Sequence, residues 1–246
     1  MKIMTRVFGI TGTNGKTTTA CMLKEILEQA GNPCGLIGTI EYQIGGKRHI
    51  PVNTTPGRDL LRDLFAEMKE EGVEQCVMEV SSHGIDQGRI DDIRIDYAGF
   101  TNLSQDHLDY HKTMENYYQV KKQLFLRCTE GAVINGDDPY GKRLYAELRE
   151  TVDNSSIKRY SLKDTAADYY GKILEKSLLR SRFKFFESGN LLGELEVSIP
   201  GEHFVYNAML AASMARQAGI EFSHLRAGLL ELHVPGRMQQ IGSEED

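Results

Sequence analysis

Only four cysteines occur in the 246 residues, at positions 21, 34, 76 and 128, and no two form a Cys-x-x-Cys pair. Thiols scattered through otherwise apolar stretches exclude a disulfide framework and a cysteine-based zinc site, and they suit a reducing, cytoplasmic setting. Positive charge is not in excess: 29 Lys and Arg stand against 35 Asp and Glu, a formal net charge of −6. No basic surface calls for nucleic acid, so a chain of this charge that binds phosphates must concentrate its cations locally. Apolar runs are short. None approaches the roughly 20 residues of a membrane helix, and no stretch ahead of the first expected strand has the form of a signal peptide. Repeats and low-complexity segments are missing too. What is left is 40% hydrophobic, enough for a real core, in a length that suits one large domain or two small ones.

The densest signal is Gly9-Ile10-Thr11-Gly12-Thr13-Asn14-Gly15-Lys16-Thr17-Thr18-Thr19. Residues 5–10 ahead of it are short and β-branched and read as a buried strand. Behind it, Met22, Leu23, Ile26, Leu27 and Ala30 recur at helical spacing, closed by Gly31 as a C-cap. Strand, glycine-rich turn and helix is the setting of a phosphate loop. Glycines let the backbone approach phosphate oxygens, the helix start offers N–H groups, Lys16 reaches the outer phosphates and the Thr17 hydroxyl can ligate Mg²⁺. The strict pattern wants glycine where this chain has Ile10, so the Gly-Lys-Thr tail and the flanking elements carry the reading. The bland alternative is a Gly/Thr-rich turn with an exposed lysine.

Further along, Cys34–Ile40 reads as a strand, 41–52 as a hairpin around Gly45-Gly46, and Leu60, Leu61, Leu64, Phe65 and Met68 as the apolar face of a helix. Residues 76–80, 97–101 and 132–135 read as buried strands, with a helix over 114–128 and another starting at Pro139. Between 157 and 199 the texture changes to short alternating segments separated by polar turns, which predicts a small antiparallel sheet. Helices return at about 206–218 and 223–232. The βαβα alternation predicts an α/β fold of the P-loop type, a mostly parallel sheet flanked by helices, with function gathered at the carboxyl ends of strands.

Three polar stretches fall at such ends. Glu79, in Met78-Glu79-Val80-Ser81-Ser82-His83-Gly84, follows a strand that can lie beside the phosphate-loop strand. A carboxylate there can hold Mg²⁺, which prefers oxygen ligands and keeps waters, or it can simply cap a helix. Ser81, Ser82 and His83 resemble a nucleophile set with no visible activating triad, and read as orienting or substrate-binding groups. Asp106-His107-Leu108-Asp109-Tyr110-His111 packs two histidines and two carboxylates together. It lacks the further ligand a zinc site needs, and suits either a second Mg²⁺ held partly by His107 or a solvated loop. Of Lys121 and Lys122, one points inward if Leu124 and Phe125 continue the apolar face. A buried lysine amine is nucleophilic and can take up CO₂ as a carbamate, a metal-binding carboxylate.

In order along the chain, residues 12–18, 53–55, 78–84, 100–103, 106–111, 135–138 and 234–238 resemble motifs of the Mur ligases, and within that family the UDP-N-acetylmuramoyl-dipeptide ligases of peptidoglycan assembly. The resemblance implies that Gly12, Thr13, Asn14, Gly15, Lys16, Thr17 and Thr18 bind ATP phosphates, with Asn135, Asn207 and Arg237 around the nucleotide. It implies Thr17 and Glu79 on Mg²⁺, and His107 with a carbamylated Lys121 on a second metal. It places Asn53, Thr54, Thr55, Ser81, Gln87 and Arg89 on the UDP-muramoyl substrate. Lys16, His107 and Lys121 become the catalytic groups of an amide synthesis in which a carboxylate takes the γ-phosphoryl group of ATP and an amino acid then displaces phosphate. The partners implied are a UDP-muramoyl peptide and an amino acid.

Two positions depart from the family pattern: Phe204, where many relatives carry Asn, and Gln239, where an acidic residue is common. The resemblance also implies a central ATPase domain over 1–241 and an acidic tail over 242–246. The UDP-binding and amino-acid-binding domains on either side, and an Asp-Asn-Pro-Arg type motif, are missing from it. As an isolated domain the chain is expected to be incomplete as a ligase, with separate partner chains supplying the missing domains. Two further readings stand beside this one: a folylpolyglutamate- or cyanophycin-type ligase, and a stand-alone nucleotide-binding module without full ligase activity that acts as a partner or regulator.

Overall fold

In the computed structural model, which describes residues 5–151, 156–177 and 179–230, eleven strands form one sheet. The first, β1 (Arg6–Thr11), shows why. Val7 points to one face of the sheet and Phe8 and Ile10 to the other, all nearly fully buried, because alternate residues of a strand face opposite sides. A strand apolar on both faces needs helices on both.

The chain continues through α1 (Lys16–Gln29), β2 (Cys34–Ile37), the edge hairpin β3 (Tyr42–Ile44) and β4 (Lys47–His49), α2 (Arg58–Glu70), β5 (Gln75–Glu79) and α3 (Ser82–Asp86). Next come β6 (Ile95–Phe100), α4 (Leu108–His111), α5 (Met114–Leu126), β7 (Cys128–Asn135) and α6 (Pro139–Thr151). The last part holds β8 (Ile157–Ser161), β9 (Tyr169–Lys176), β10 (Ser181–Glu187), β11 (Asn190–Val197), α7 (Glu202–Gln217) and α8 (Phe222–Leu230). The strand order is β11-β10-β9-β8-β7-β6-β1-β5-β2-β3-β4.

From β2 to β9 the pairs across the middle are parallel, and antiparallel pairing is confined to β2-β3-β4 at one edge and β9-β10-β11 at the other. The expected antiparallel portion is present but narrower than 157–199. β8 pairs parallel with β7 and with β9, so strands 169–197 extend the main sheet. Element boundaries also move. Residues 38–40 leave β2 for a loop, and Cys128 belongs to β7, where it pairs with Ile95, not to the preceding helix.

α1, α7 and α8 cover one face, with Phe8, Tyr97, Phe183 and Phe185 beneath them. α2, α5 and α6 cover the other, over Met78, Phe100 and Ile134. β1 lies between β5 and β6, and the chain leaves β1 toward β2 on one side and leaves β6 toward β7 on the other. That switch point opens a crevice at the carboxyl ends of β1, β5 and β6.

Candidate active site

The crevice is a cavity of about 780 Å³. Its walls come from the loop after β1, the ends of β5, β6 and β7, one face of α5, and the first turns of α7.

The loop after β1 is short because Ile10 remains a fully buried strand residue and the turn starts only at Gly12. Gly12 (φ 145°) and Gly15 (φ 88°) take backbone conformations that side chains disfavour, and a Cβ would run into Thr101 at the first and Asn207 at the second. Asn102 fixes the turn from outside. Its carbonyl accepts the Thr13 N–H (2.8 Å), and its amide both accepts from the Asn14 N–H and donates to the Asn14 carbonyl, each at 3.1 Å. Lys16, half-buried, donates to the carbonyls of Gly12 (2.9 Å) and Thr13 (2.7 Å). Burial lowers its pKa, against the opposing pull of Glu79 and Asp106.

Thr17, one residue into α1, donates to Glu79 Oε2 at 2.8 Å. Glu79 ends β5 and is 1% exposed. Its Oε1 accepts the Thr39 N–H (2.8 Å), and its Oε2 also accepts the Thr39 hydroxyl (3.2 Å). A carboxylate has about four lone-pair positions, so three donors leave it able to take a cation. Two oxygen donors 2.8 Å apart fit a hard ion that keeps waters and takes phosphate oxygens, as Mg²⁺ does. Among the described residues no three His, Cys, Asp or Glu side chains form a group that could hold a metal ion.

Lys121, on α5, is 1% exposed. Its Nζ donates to the Gly12 carbonyl (2.9 Å) and lies 4.7 Å from the centre of the Tyr117 ring. Desolvation lowers its pKa well below 10.5, and the Lys16 charge adds to the effect while Asp106 opposes it. His107 sits in a left-handed conformation (φ 51°) ahead of α4, with its ring 6.3 Å from Tyr117 and 5.1 Å from His83. His111 reaches Ser82 Oγ at 2.9 Å, and both are buried. Ser81 caps α3, its Oγ accepting the Gly84 N–H at 3.0 Å. Ser81 and Ser82 are thus held in place by neighbours, as orienting groups would be.

Of the residues marked in the sequence, Thr13, Asn14, Gly15, Lys16, Thr17, Thr18, Thr54, Glu79, Ser81, His107, Lys121, Asn135 and Asn207 line this one cavity. Gly12, the first residue of the turn, does not line it. Asn53, Thr55, Gln87 and Arg89 do not line it. The Thr55 hydroxyl donates to the Glu79 carbonyl (3.0 Å) and accepts from the Ser81 N–H (2.9 Å), while Arg89 donates to the Thr55 carbonyl (2.7 Å) and to Gln87 Oε1 (2.6 Å). This group fastens the 53–55 loop to the end of β5. Arg237 and Gln239 lie outside the described residues. Thr39, Asn102, Asp137 and Tyr206 carry structural roles in the site that the sequence reading did not assign. The rule that strand ends gather function would have pointed to Thr39, two residues past β2.

The Mur ligase middle-domain pattern matches residues 10–215. The chain belongs to the Mur ligase family. The UDP-N-acetylmuramoyl-L-alanyl-D-glutamate--2,6-diaminopimelate ligase of Clostridium tetani is 42% identical over 240 residues, covering 96% of this chain and 47% of that protein. The enzyme of the same name from Clostridium perfringens is 39% identical over 241 residues, covering 98% and 49%. A solved structure of a ligase of that name superposes with a TM-score of 0.86 at 31% identity, over 96% of this chain and 48% of that one. This Mur ligase chain thus spans about half the length of the curated relatives it matches. Phe204, the departure noted above, lines the cavity at its α7 end with its ring 4.2 Å from that of His203. Two aromatic rings stand together at that end of the cavity.

Proposed function

We propose that this chain carries the ATP site and phosphoryl-transfer groups of an ATP-dependent carboxylate–amine ligase that adds an amino acid to UDP-N-acetylmuramoyl-L-alanyl-D-glutamate. The relatives' names support diaminopimelate as that amino acid. The observation that carries the reading is the convergence of Lys16, the Thr17–Glu79 pair, His107 and Lys121 on one cavity.

In this reading the triphosphate lies against loop 12–18, and the amides at the start of α1 face its oxygens. Lys16 leaves the carbonyls of Gly12 and Thr13 to meet the outer phosphates. Thr17 and Glu79 would hold Mg²⁺. When bound, that ion supplies charge neutralisation at the phosphoryl oxygens. Lys16 and the loop fix the γ-phosphoryl group in line with the attacking carboxylate, so the barrier falls through position and electrostatics. The carboxylate displaces ADP and becomes an acyl phosphate. The incoming amine then attacks the acyl carbon, a tetrahedral intermediate collapses, and phosphate leaves as the amide forms. Lys121, whose burial lowers its pKa and so favours the neutral amine, is suited to take up CO₂, and its carbamate would stand beside His107 as an oxygen ligand for a second cation. Thr54 and Ser81, which line the cavity and are braced from behind by Thr55, Gln87 and Arg89, would stand nearest the muramoyl peptide.

The test is calorimetric titration of the chain with ATP in Mg²⁺ and in EDTA, followed by phosphate release. Binding should need Mg²⁺ for full affinity, and phosphate release should depend on both UDP-N-acetylmuramoyl-L-alanyl-D-glutamate and diaminopimelate. Lys16→Ala should cut turnover on the order of 10³-fold, several kcal/mol of transition-state stabilisation. No ATP binding by the wild-type chain would overturn the reading. Binding without substrate-dependent release would leave a nucleotide-binding module.

A further inference from the structure

The Glu79 carboxylate is held by a residue outside the phosphate loop. Thr39 lies in the turn after β2, the strand next to β5, and grips the carboxylate twice, by its N–H on Oε1 (2.8 Å) and its hydroxyl on Oε2 (3.2 Å). The fit is close, since a Cβ at the preceding Gly38 would run into the same carboxylate. A threonine hydroxyl has one proton. With that proton on Glu79, the contact between Thr39 Oγ1 and Thr54 Oγ1 (3.0 Å) is one in which Thr54 donates. The result is a continuous chain of side chains: Thr54 to Thr39 (3.0 Å), Thr39 to Glu79 (3.2 Å), and Thr17 to Glu79 on the same oxygen (2.8 Å). It joins the 53–55 loop to the start of α1 across the cavity wall.

We propose that Thr39 is a positioning residue that sets the Glu79 carboxylate for a divalent cation and ties that setting to the 53–55 loop through Thr54. This rests on the nucleotide–cation reading above. Two donors from one residue fix both carboxylate oxygens, so Oε2 is aimed at the place where Thr17 also offers its oxygen. Without the hydroxyl, Glu79 keeps the Thr39 N–H on Oε1 but is free to turn Oε2 away. The consequence falls on cation binding, not on contacts to the nucleotide base or ribose. Thr39 is exposed at the cavity wall, so removing its hydroxyl leaves the core untouched.

The experiment measures Mn²⁺ affinity, by electron paramagnetic resonance of free Mn²⁺, for the full chain saturated with ATP, alongside ATP affinity in EDTA. Thr39→Val keeps the shape and the N–H. It should weaken Mn²⁺ binding roughly tenfold, the scale of one hydrogen bond to a charged group, and leave ATP affinity in EDTA unchanged. Thr39→Ser should restore wild-type Mn²⁺ affinity. Thr54→Val should weaken it by roughly two- to threefold alone and add nothing in the Thr39→Val background, because the contact it removes is already gone. Unchanged Mn²⁺ affinity in Thr39→Val, an equal loss of ATP affinity in EDTA, or full additivity of the two valine variants overturns the inference while the proposed function stands. Failure of the wild-type chain to bind Mn²⁺ with ATP overturns both.

Discussion

Lys121 ends where its charge has lost its water: at 1% exposure it has the Gly12 carbonyl and the Tyr117 ring for company, and the Lys16 charge nearby. Its folded pKa lies well below 10.5, and that has a signed consequence for stability. Below the folded pKa both states carry the proton, and the folded state bears the full cost of a buried charge. Between the folded pKa and 10.5 only the unfolded chain binds the proton, so stability rises with pH across that window. Urea unfolding in CO₂-free buffer should therefore show wild-type stability rising toward pH 10.5, by at most about 1.4 kcal/mol per pH unit from this group. Lys121→Met, which places an unbranched apolar side chain in the same space, should lack that rise. Parallel pH profiles for the two proteins would show that Lys121 is not desolvated in solution. That one of the two adjacent lysines turns inward was legible, because helical spacing puts Lys121 on the face of Leu124 and Phe125. The partner of Thr39 was not legible. The meeting of Thr39 with Glu79 depends on β2 lying beside β5, a pairing between residues some 40 apart in the chain.

α5 carries Lys121 to the cavity, and α6 holds α5. Glu147 on α6 accepts from Lys122 (2.7 Å), Tyr118 (2.7 Å) and Arg143 (2.6 Å), while Arg143 lies over the Tyr118 ring at 4.3 Å. Burial alone would raise the Glu147 pKa. The bonds from Lys122, Tyr118 and Arg143 outweigh it and hold the group at about 2, against 4.5 unperturbed. A depressed carboxylate contributes stability above its unfolded pKa and loses it as pH falls through the folded one. This clamp should thus weaken between pH 4.5 and about 2. Glu147→Gln should cost about 1–2 kcal/mol at pH 7, and should flatten that part of the acid-unfolding profile. A variant with the same acid slope as wild type would remove the clamp from the account. Helices such as α5 and α6 were legible as elements, since periodicity is local. Their ends were less so. Cys128 follows a helical pattern but pairs with Ile95 on β6, and its thiol donates to the Asp96 carbonyl (3.1 Å). Sheet register, not local propensity, decided it.

The same non-local pairing decides how the whole molecule behaves. Residues 157–199 read from sequence as a separate small sheet, because short alternating strands carry no mark of which neighbour they join. The structure instead runs β8 parallel to β7 and buries Phe183, Phe185, Leu195 and Val197 in one cluster with Phe8 of β1, α1 and α7. The edge that looks like an appendage therefore shares its core with the phosphate-loop helix. It should unfold with it, and it should feel ligand bound at the other end of α1. The sequence has no tryptophan, so a single one can report on that edge alone. Phe186 faces away from the shared core beside Tyr170, with rings 5.5 Å apart, and Phe186→Trp there leaves the buried side of β10 intact. Thermal unfolding followed by that fluorophore should coincide with unfolding followed by far-ultraviolet circular dichroism. Mg²⁺ and ATP at a hundred times the dissociation constant stabilise the bound state by about 2.7 kcal/mol. In a chain of this size that should move both curves upward together by roughly 5–10 °C. A fluorescence transition that comes earlier and ignores the nucleotide would mean that β9–β11 fold as a unit of their own, and that the common core seen under α1 and α7 does not couple them.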